Sequence, residues 1–420
     1  MRRNQINIIL IIALAFILNV GARYLWNFLK TPPVSAASIG QTIEEATPTV
    51  EPTPEEEIAT VITPTETILP PTPDPLLPTP TPTPYTYGLE EFPKAINPLT
   101  GLRVSDPSLL KRRPMVIKIT NFPRNVRPQW GLNAADHVYE YYIGDNFTRF
   151  IGIFYGQDAE RVGPVRSARL FDEHLMRLYN GIFVFAYADD RILERLMVPE
   201  LIPYLVIETK SNCPPICRIE HHGSSYNNLF ADTRALTEYI DKRDVDNGRQ
   251  NLTGLFFSSQ PPQSGQTGSK LSVRFTYASY HRWEYDSERG KYLRFQDVND
   301  NVGEAEMDYL PLLDSLDLQQ VSADNLIVMR VHHEIVYKSS STQIDDMPII
   351  GEGGGYAFRD GQIYPIYWAS NGNNRLFSLY LPDGNPYPLK PGNVWFEIVG
   401  ETSIFELGND DRLNIDFQMP

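Results

Sequence analysis

Three arginines crowd a Gly-Pro turn in the stretch RVGPVRSAR (161–169), which follows the apolar run RFIGIFYGQD and precedes LFDEHLMRLYNG. Ser167 is a residue type that caps helices, so the spacing predicts a helix starting near Ser167, with Arg166 at its entrance and Arg169 one turn in. Fixed guanidinium groups beside free backbone N–H groups at the positive end of a helix suit a phosphate or a carboxylate. Arg127, in the loop of RPQWGLNAADHVYE, joins Arg166, Ser167 and Arg169 as a candidate anion ligand. The competing reading is structural: Arg166 and Arg169 pair with Asp136, Glu140 or Asp189 and hold helix to sheet.

Asp136 and Glu140 are the candidate acid–base pair. Four residues apart, they share a face whether the segment is a helix or a strand. Two carboxylates on one face could serve proton transfer or a cation, although no neighbouring residue supplies a nucleophile. The chain's two cysteines, Cys213 and Cys217, flank Pro214-Pro215 and can close a small disulfide in an oxidising compartment. His221-His222 and His332-His333 show no metal-binding spacing, and His332-His333 fall in an expected strand, pointing to opposite faces. The expectation is therefore no metal and no cofactor. There is no G-x-S-x-G elbow, no P-loop and no dinucleotide fingerprint; the glycine-rich GEGGGYAF leads into a strand rather than a helix.

The elements that must position these residues alternate in type. MVIKITN (115–121) alternates like a half-buried strand, SARLFDEHLMRLYN (167–180) has helical spacing, GIFVFAYA (181–188) reads as a strand, and LFADTRALTEYIDKR (229–243) as a second helix. SSQPPQSGQTGSK (258–270) marks a boundary, beyond which nearly every segment reads as a β-hairpin. Ahead of these, residues 6–29 are apolar and long enough to cross a bilayer, with Arg2 and Arg3 before them. That predicts a single span of the cytoplasmic membrane, with everything after Lys30 outside the cell. The Pro-, Thr- and Glu-rich segment 31–91 reads as a disordered spacer. A formal net charge of −15 without a basic run excludes a general nucleic-acid binder.

The motifs NPLTGL, RPQWGLNAADHVYE, TRF, GPVRSAR, DNLIVM, GYAFRDGQIYPIYW and LPDGNPYPLKPGNVWFEIV, in this order over about residues 95–400, resemble the YerB-like family of extracytoplasmic bacterial proteins. The resemblance implies an α/β fold: a three-layer β/β/α sandwich over 92–257, a mostly β domain over 271–400, and a tail at 401–420. It implies attachment to the outer face of the cytoplasmic membrane and brings no established activity. Relatives carry an HAGGS-like segment where this chain has FAYADDRI (185–192), and a PHNLY-like segment where it has SYNNLF (225–230), so a site built from those positions is altered here. The expected function is an anchored binding or scaffolding module that engages an envelope protein or an anionic glycan. The alternative is a wall-associated hydrolase or transferase in which Arg166 and Arg169 hold the substrate and Asp136 or Glu140 is the base.

Overall fold

The computed structural model describes residues 85–88, 91–209, 211–219, 227–302, 307–340, 342–372 and 375–419, all within the compact unit Thr79–Pro420. The expected membrane span and nearly all of the spacer, together with His221 and His222, lie outside the described residues. Among those described, no helix is long and apolar enough to cross a membrane.

In chain order the first half supplies β1 (Met115–Thr120), β2 (His137–Tyr142), β3 (Thr148–Phe154), α1 (Leu170–Tyr179), β4 (Ile182–Phe185), α2 (Asp190–Leu196), β5 (Leu205–Ile207) and α3 (Thr233–Asp241). The second half supplies β6 (Gln266–Thr267), β7 (Lys270–Thr276), β8 (Ser279–Asp286), β9 (Lys291–Asp297), β10 (Tyr309–Pro311), β11 (Asn325–Val331), β12 (Gly351–Arg359), β13 (Gln362–Ser370), β14 (Ser378–Tyr380), β15 (Val394–Gly400), β16 (Ile404–Leu407) and β17 (Arg412–Asp416). The fold is thus mostly β with few helices.

The two halves do not keep separate sheets. One eleven-stranded sheet runs β6-β13-β12-β11-β15-β2-β3-β1-β4-β5, with β14 beside β13. Its seam is the parallel pairing of β15 with β2, where Trp395 stands opposite Val138 and Phe396 opposite Tyr139. A second, seven-stranded sheet runs β10-β9-β8-β7-β17-β16, with Ser322–Ala323 beside β9. It covers one face of the seam: Trp283 of β8 meets Trp395 edge-on at 5.0 Å. On the other face Phe171 of α1 packs against Tyr139 and Tyr141. The outer β layer over the seam therefore comes from residues 270–416, not from the first half as expected. Likewise residues 401–420, expected as a tail, contribute β16 and β17 to that layer. His332 and His333 lie just past β11 rather than within a strand; His332 is exposed beside Glu401 and His333 is buried.

Strands β1 and β3 are buried along their whole length, on both faces, which suits their β-branched and aromatic composition. In α1 the buried residues Leu170, Phe171, Leu175, Met176 and Tyr179 line one side. Asp172 and Glu173 in its first turn and Arg177 in its last match the helix dipole, and Asn180 ends it in the left-handed conformation at φ 46°.

Candidate anion-binding site

Strand register decides which side chains meet. Thr120, Arg149 and Tyr141 are mutual partners across β1, β3 and β2, and Lys118, Ile151 and Tyr139 form the next rung but one. Alternation puts all six on one face, the face covered by α1. Lys118 is completely buried, and its Nζ bonds the Tyr141 hydroxyl and, at 3.1 Å, Asp172 Oδ1 on α1. The Tyr141 hydroxyl also donates to Asp172 Oδ1. The other carboxylate oxygen of Asp172 accepts the Arg169 N–H at 2.7 Å, closing the helix entrance. Asp172 thus ties the arginine corner to two strands.

The corner itself is fixed by backbone. Val165 N–H donates to Leu229 O at 2.7 Å, Arg166 N–H to Lys118 O at 3.2 Å, and Ala168 N–H to Tyr187 O at 2.7 Å. Gly163 sits at φ +149°, and a Cβ there would stand 2.9 Å from Leu229 O and from Val165 N, so glycine is required. The helix begins at Leu170 with Arg169 as its N-cap, three residues later than Ser167 as expected. Ser167 caps nothing; its carbonyl accepts Arg169 Nη1 at 3.5 Å, beside Ala168 O at 2.9 Å.

Arg149, Arg166 and Arg169 share this corner. Arg149 is 9% exposed, and its Nη1 donates to Thr148 O at 3.1 Å. Burial first, and then the charges of Arg169 and Arg166, hold the Arg149 guanidinium well below its usual pKa. Arg166 is lowered too, by burial and then by Arg169 and Arg218. Burial brings the Lys118 ammonium down to about 7, against the opposing pull of Asp172. Among the described residues neither Arg149 nor Arg169 has a carboxylate within ion-pair distance. Asp345 is near enough to feel Arg169, but both its oxygens accept from Gln343 Nε2, at 2.9 and 3.1 Å. Arg166, Ser167 and Arg169 are half-buried, Tyr187 is exposed and Arg149 is nearly buried, so the corner grades from the surface inward to the Arg149 guanidinium.

The acids proposed as partners or bases are engaged elsewhere. Asp136 lines a polar cavity of about 350 Å³ with Asn97, Asn133, Asp324 and Asn393. Its carboxylate accepts from Asn97 Nδ2 (2.7 Å), Tyr155 N (2.6 Å) and Gly156 N (3.0 Å), and burial pushes its pKa up to about 6. Glu140 points to the opposite face of β2 from Tyr141 and accepts from Arg294 Nη2 at 2.5 Å and Thr148 Oγ1 at 2.7 Å. Asp189 pairs with Arg191 at 3.0 Å. Arg127, expected in the anion site, instead pairs with Asp297 at 3.2 Å and donates to Asn121 O at 3.1 Å. Asp136 and Glu140 therefore do not converge with the arginines.

Glu140, His281 and Glu397 bring ligand atoms within 4.8 Å of one another, a set that could hold a metal ion. The Arg294 guanidinium, 2.5 Å from Glu140 and 3.5 Å from Glu397, already supplies the positive charge there. Cys213 and Cys217 are joined, with their Cα atoms 4.8 Å apart.

Lys118, Tyr141, Arg149 and Asp172 are the members of the site that the motif reading missed. The available signal was period-two parity: a lysine inside MVIKITN and the arginine of TRF fall on one face once β1 and β3 are paired.

Comparison with known proteins adds family and fold. The N-terminal domain described as "Protein of unknown function (DUF3048)" matches residues 99–246, and the C-terminal domain of the same description matches 271–396. YerB of Bacillus subtilis strain 168, which is named as a lipoprotein, is 26% identical over 318 residues, 72% of this chain and 85% of YerB. The crystal structure of Bacillus subtilis YerB superposes with a TM-score of 0.59 at 22% identity, over 72% of this chain and 96% of that one.

Proposed function

We propose that this chain, which belongs to the two-domain YerB-like (DUF3048) family, is an extracytoplasmic binding module of the cell envelope that holds an anionic ligand at Arg149, Arg166 and Arg169. The observation that carries this is the arginine corner: Arg149 on the sheet and Arg169 at the entrance of the helix that covers it feel each other's charge, with no carboxylate in ion-pair distance of either among the described residues. Buried like charges disfavour one another, and an anion is the partner that relieves them. Guanidinium groups offer forked donors suited to carboxylate, phosphate and sulfate oxygens.

The lipoprotein name of YerB, the Cys213–Cys217 bond, of a kind that persists in oxidising compartments, and the apolar segment 6–29 support this location. The only cysteines in these 420 residues are the two in that bond, so the apolar segment takes the place of a lipid anchor and spans the cytoplasmic membrane once. Scaffolding through an envelope protein would use other surfaces; the arginine corner favours an anionic glycan or glycopolymer.

Binding of the full chain to isolated envelope glycopolymers at low and physiological salt tests the reading. Saturable binding that weakens in Arg169→Gln supports it, whereas equal binding by both proteins refutes the site.

A further inference from the structure

The polarity of the arginine corner also says what kind of anion it takes. Lys118 and Asp172 form a wholly buried pair at 3.1 Å, and the Tyr141 hydroxyl donates to the same oxygen, so the Asp172 carboxylate is already engaged. Arg149 and Arg169 then leave two positive charges with no carboxylate in ion-pair distance among the described residues. A monoanion would balance only one of them. Asp345, the acid closest to compensating Arg169, is pinned by Gln343.

The donors point the same way. The α1 entrance is already closed by Asp172 on the Arg169 amide, so ligand oxygens would meet side-chain N–H groups rather than helix amides. Two guanidinium groups, one on the sheet and one at the helix entrance, offer more N–H donors than the two coplanar oxygens of a carboxylate can take, whereas a phosphomonoester presents three free oxygens in a tetrahedral array. Depth matters as well. Arg149 is nine-tenths buried while Arg166 and Arg169 are half-buried, so a ligand must project a terminal group to reach it. An internal phosphodiester has two of its four oxygens tied to carbon and carries one charge.

Resting on the anion-binding reading above, we infer that the site takes a doubly charged tetrahedral oxyanion, the terminal phosphate of a phosphomonoester, in preference to a carboxylate or an internal phosphodiester. Arg149 forms the floor and Arg169 the wall on the helix side. Lys118, Tyr141 and Asp172 act as positioning residues that hold the Arg169 corner against the sheet.

The test titrates the full chain calorimetrically at low ionic strength, at about pH 7.5, with phenyl phosphate, dimethyl phosphate and acetate. Phenyl phosphate is expected to bind at least about tenfold more tightly than the other two. Equal affinity for phenyl phosphate and dimethyl phosphate overturns the dianion inference and leaves anion binding standing. Binding of none of the three overturns both. Arg149→Gln and Arg169→Gln should each abolish the preference, because each removes one of the two guanidinium groups the dianion bridges; a preference intact in both overturns the assignment to these residues. Arg149→Lys keeps the charge and should retain the preference, which separates charge from packing. If a glutamine variant does not fold, the three-ligand series on the native chain decides the question alone.

Discussion

Glu140 and Glu397 stand directly opposite each other in the parallel ladder between β2 and β15, at the seam where the two halves of the chain join one sheet. Both carboxylates are buried and face the seven-stranded sheet, where Arg294 Nη2 lies 2.5 Å from Glu140 and Nη1 3.5 Å from Glu397. His281 Nε2 and Trp283 Nε1 reach Glu397 Oε1 at 2.8 and 3.0 Å. Two like charges side by side in a core are tolerated only because this cluster shares one guanidinium and one proton.

That proton gives a pH signature. Burial pushes the Glu397 carboxyl up to about 7, above the value near 4.5 of a free glutamate. A group whose pKa is raised on folding contributes stability that is full below the unfolded pKa and is lost as pH rises through the folded one. His281, lowered to about 3 by burial, has the opposite slope below about pH 6.5, and Lys118, at about 7, titrates alike in both proteins, so from pH 6.5 to 8 the difference between the native chain and Glu397→Gln isolates the glutamate. Denaturant melts should show the native chain losing about 0.5–1 kcal/mol relative to Glu397→Gln across that window. Parallel stability curves for the two proteins would refute the shifted glutamate.

Arg294 should be more costly to remove than either acid. It is wholly buried, stacked 4.6 Å from the Trp395 ring and 5.2 Å from the Trp283 ring. Arg294→Met leaves Glu140 without its cation and is expected to lose about 3–5 kcal/mol in equilibrium unfolding. Pairing it with Glu140→Gln should recover part of that loss, a non-additivity that a double-mutant cycle reads directly.

How far the sequence reveals this arrangement depends on distance along the chain. MVIKITN and the helix after RVGPVRSAR are legible because their periodicity is local, and the strands of the second half because turn residues punctuate them. The helix cap moves from Ser167 to Arg169 because the Asp172 carboxylate, in the first turn, takes the Arg169 amide. Lys118 and Arg149 are hard to see because β1 and β3 are buried on both faces, so the alternation in MVIKITN, which reads as one buried and one solvated side, hides that the side bearing Lys118 is covered by a helix. The facing of Glu140 and Glu397 has no local signal at all: it joins strands from opposite ends of the folded region.

Asp172→Asn tests the tie between helix and sheet. The carboxylate accepts from Lys118, Tyr141 and the Arg169 amide, and the substitution leaves Lys118 buried beside Arg149 and Arg169 without its counter-charge. The expected loss is about 2–4 kcal/mol by chemical denaturation, with the Lys118 ammonium titrating still lower. Lys118→Met in the same background should restore stability, because it removes the stranded charge. Failure of that rescue would mean that Asp172 acts chiefly as a helix cap.

Gly163→Ala separates the corner's backbone from its charges. The position has φ +149°, and a Cβ would meet Leu229 O and Val165 N at 2.9 Å each, so the chain must shift where Val165 bonds Leu229. Strain of this kind costs about 1–3 kcal/mol. Because Arg166 is anchored to Lys118 O only three residues further on, the shift should also displace the arginine corner. The expected result is a folded protein, less stable in thermal melts and weaker in binding phenyl phosphate, although no charge has changed. Unaltered phenyl phosphate affinity in that variant would show that the corner's geometry does not depend on the Gly163 turn.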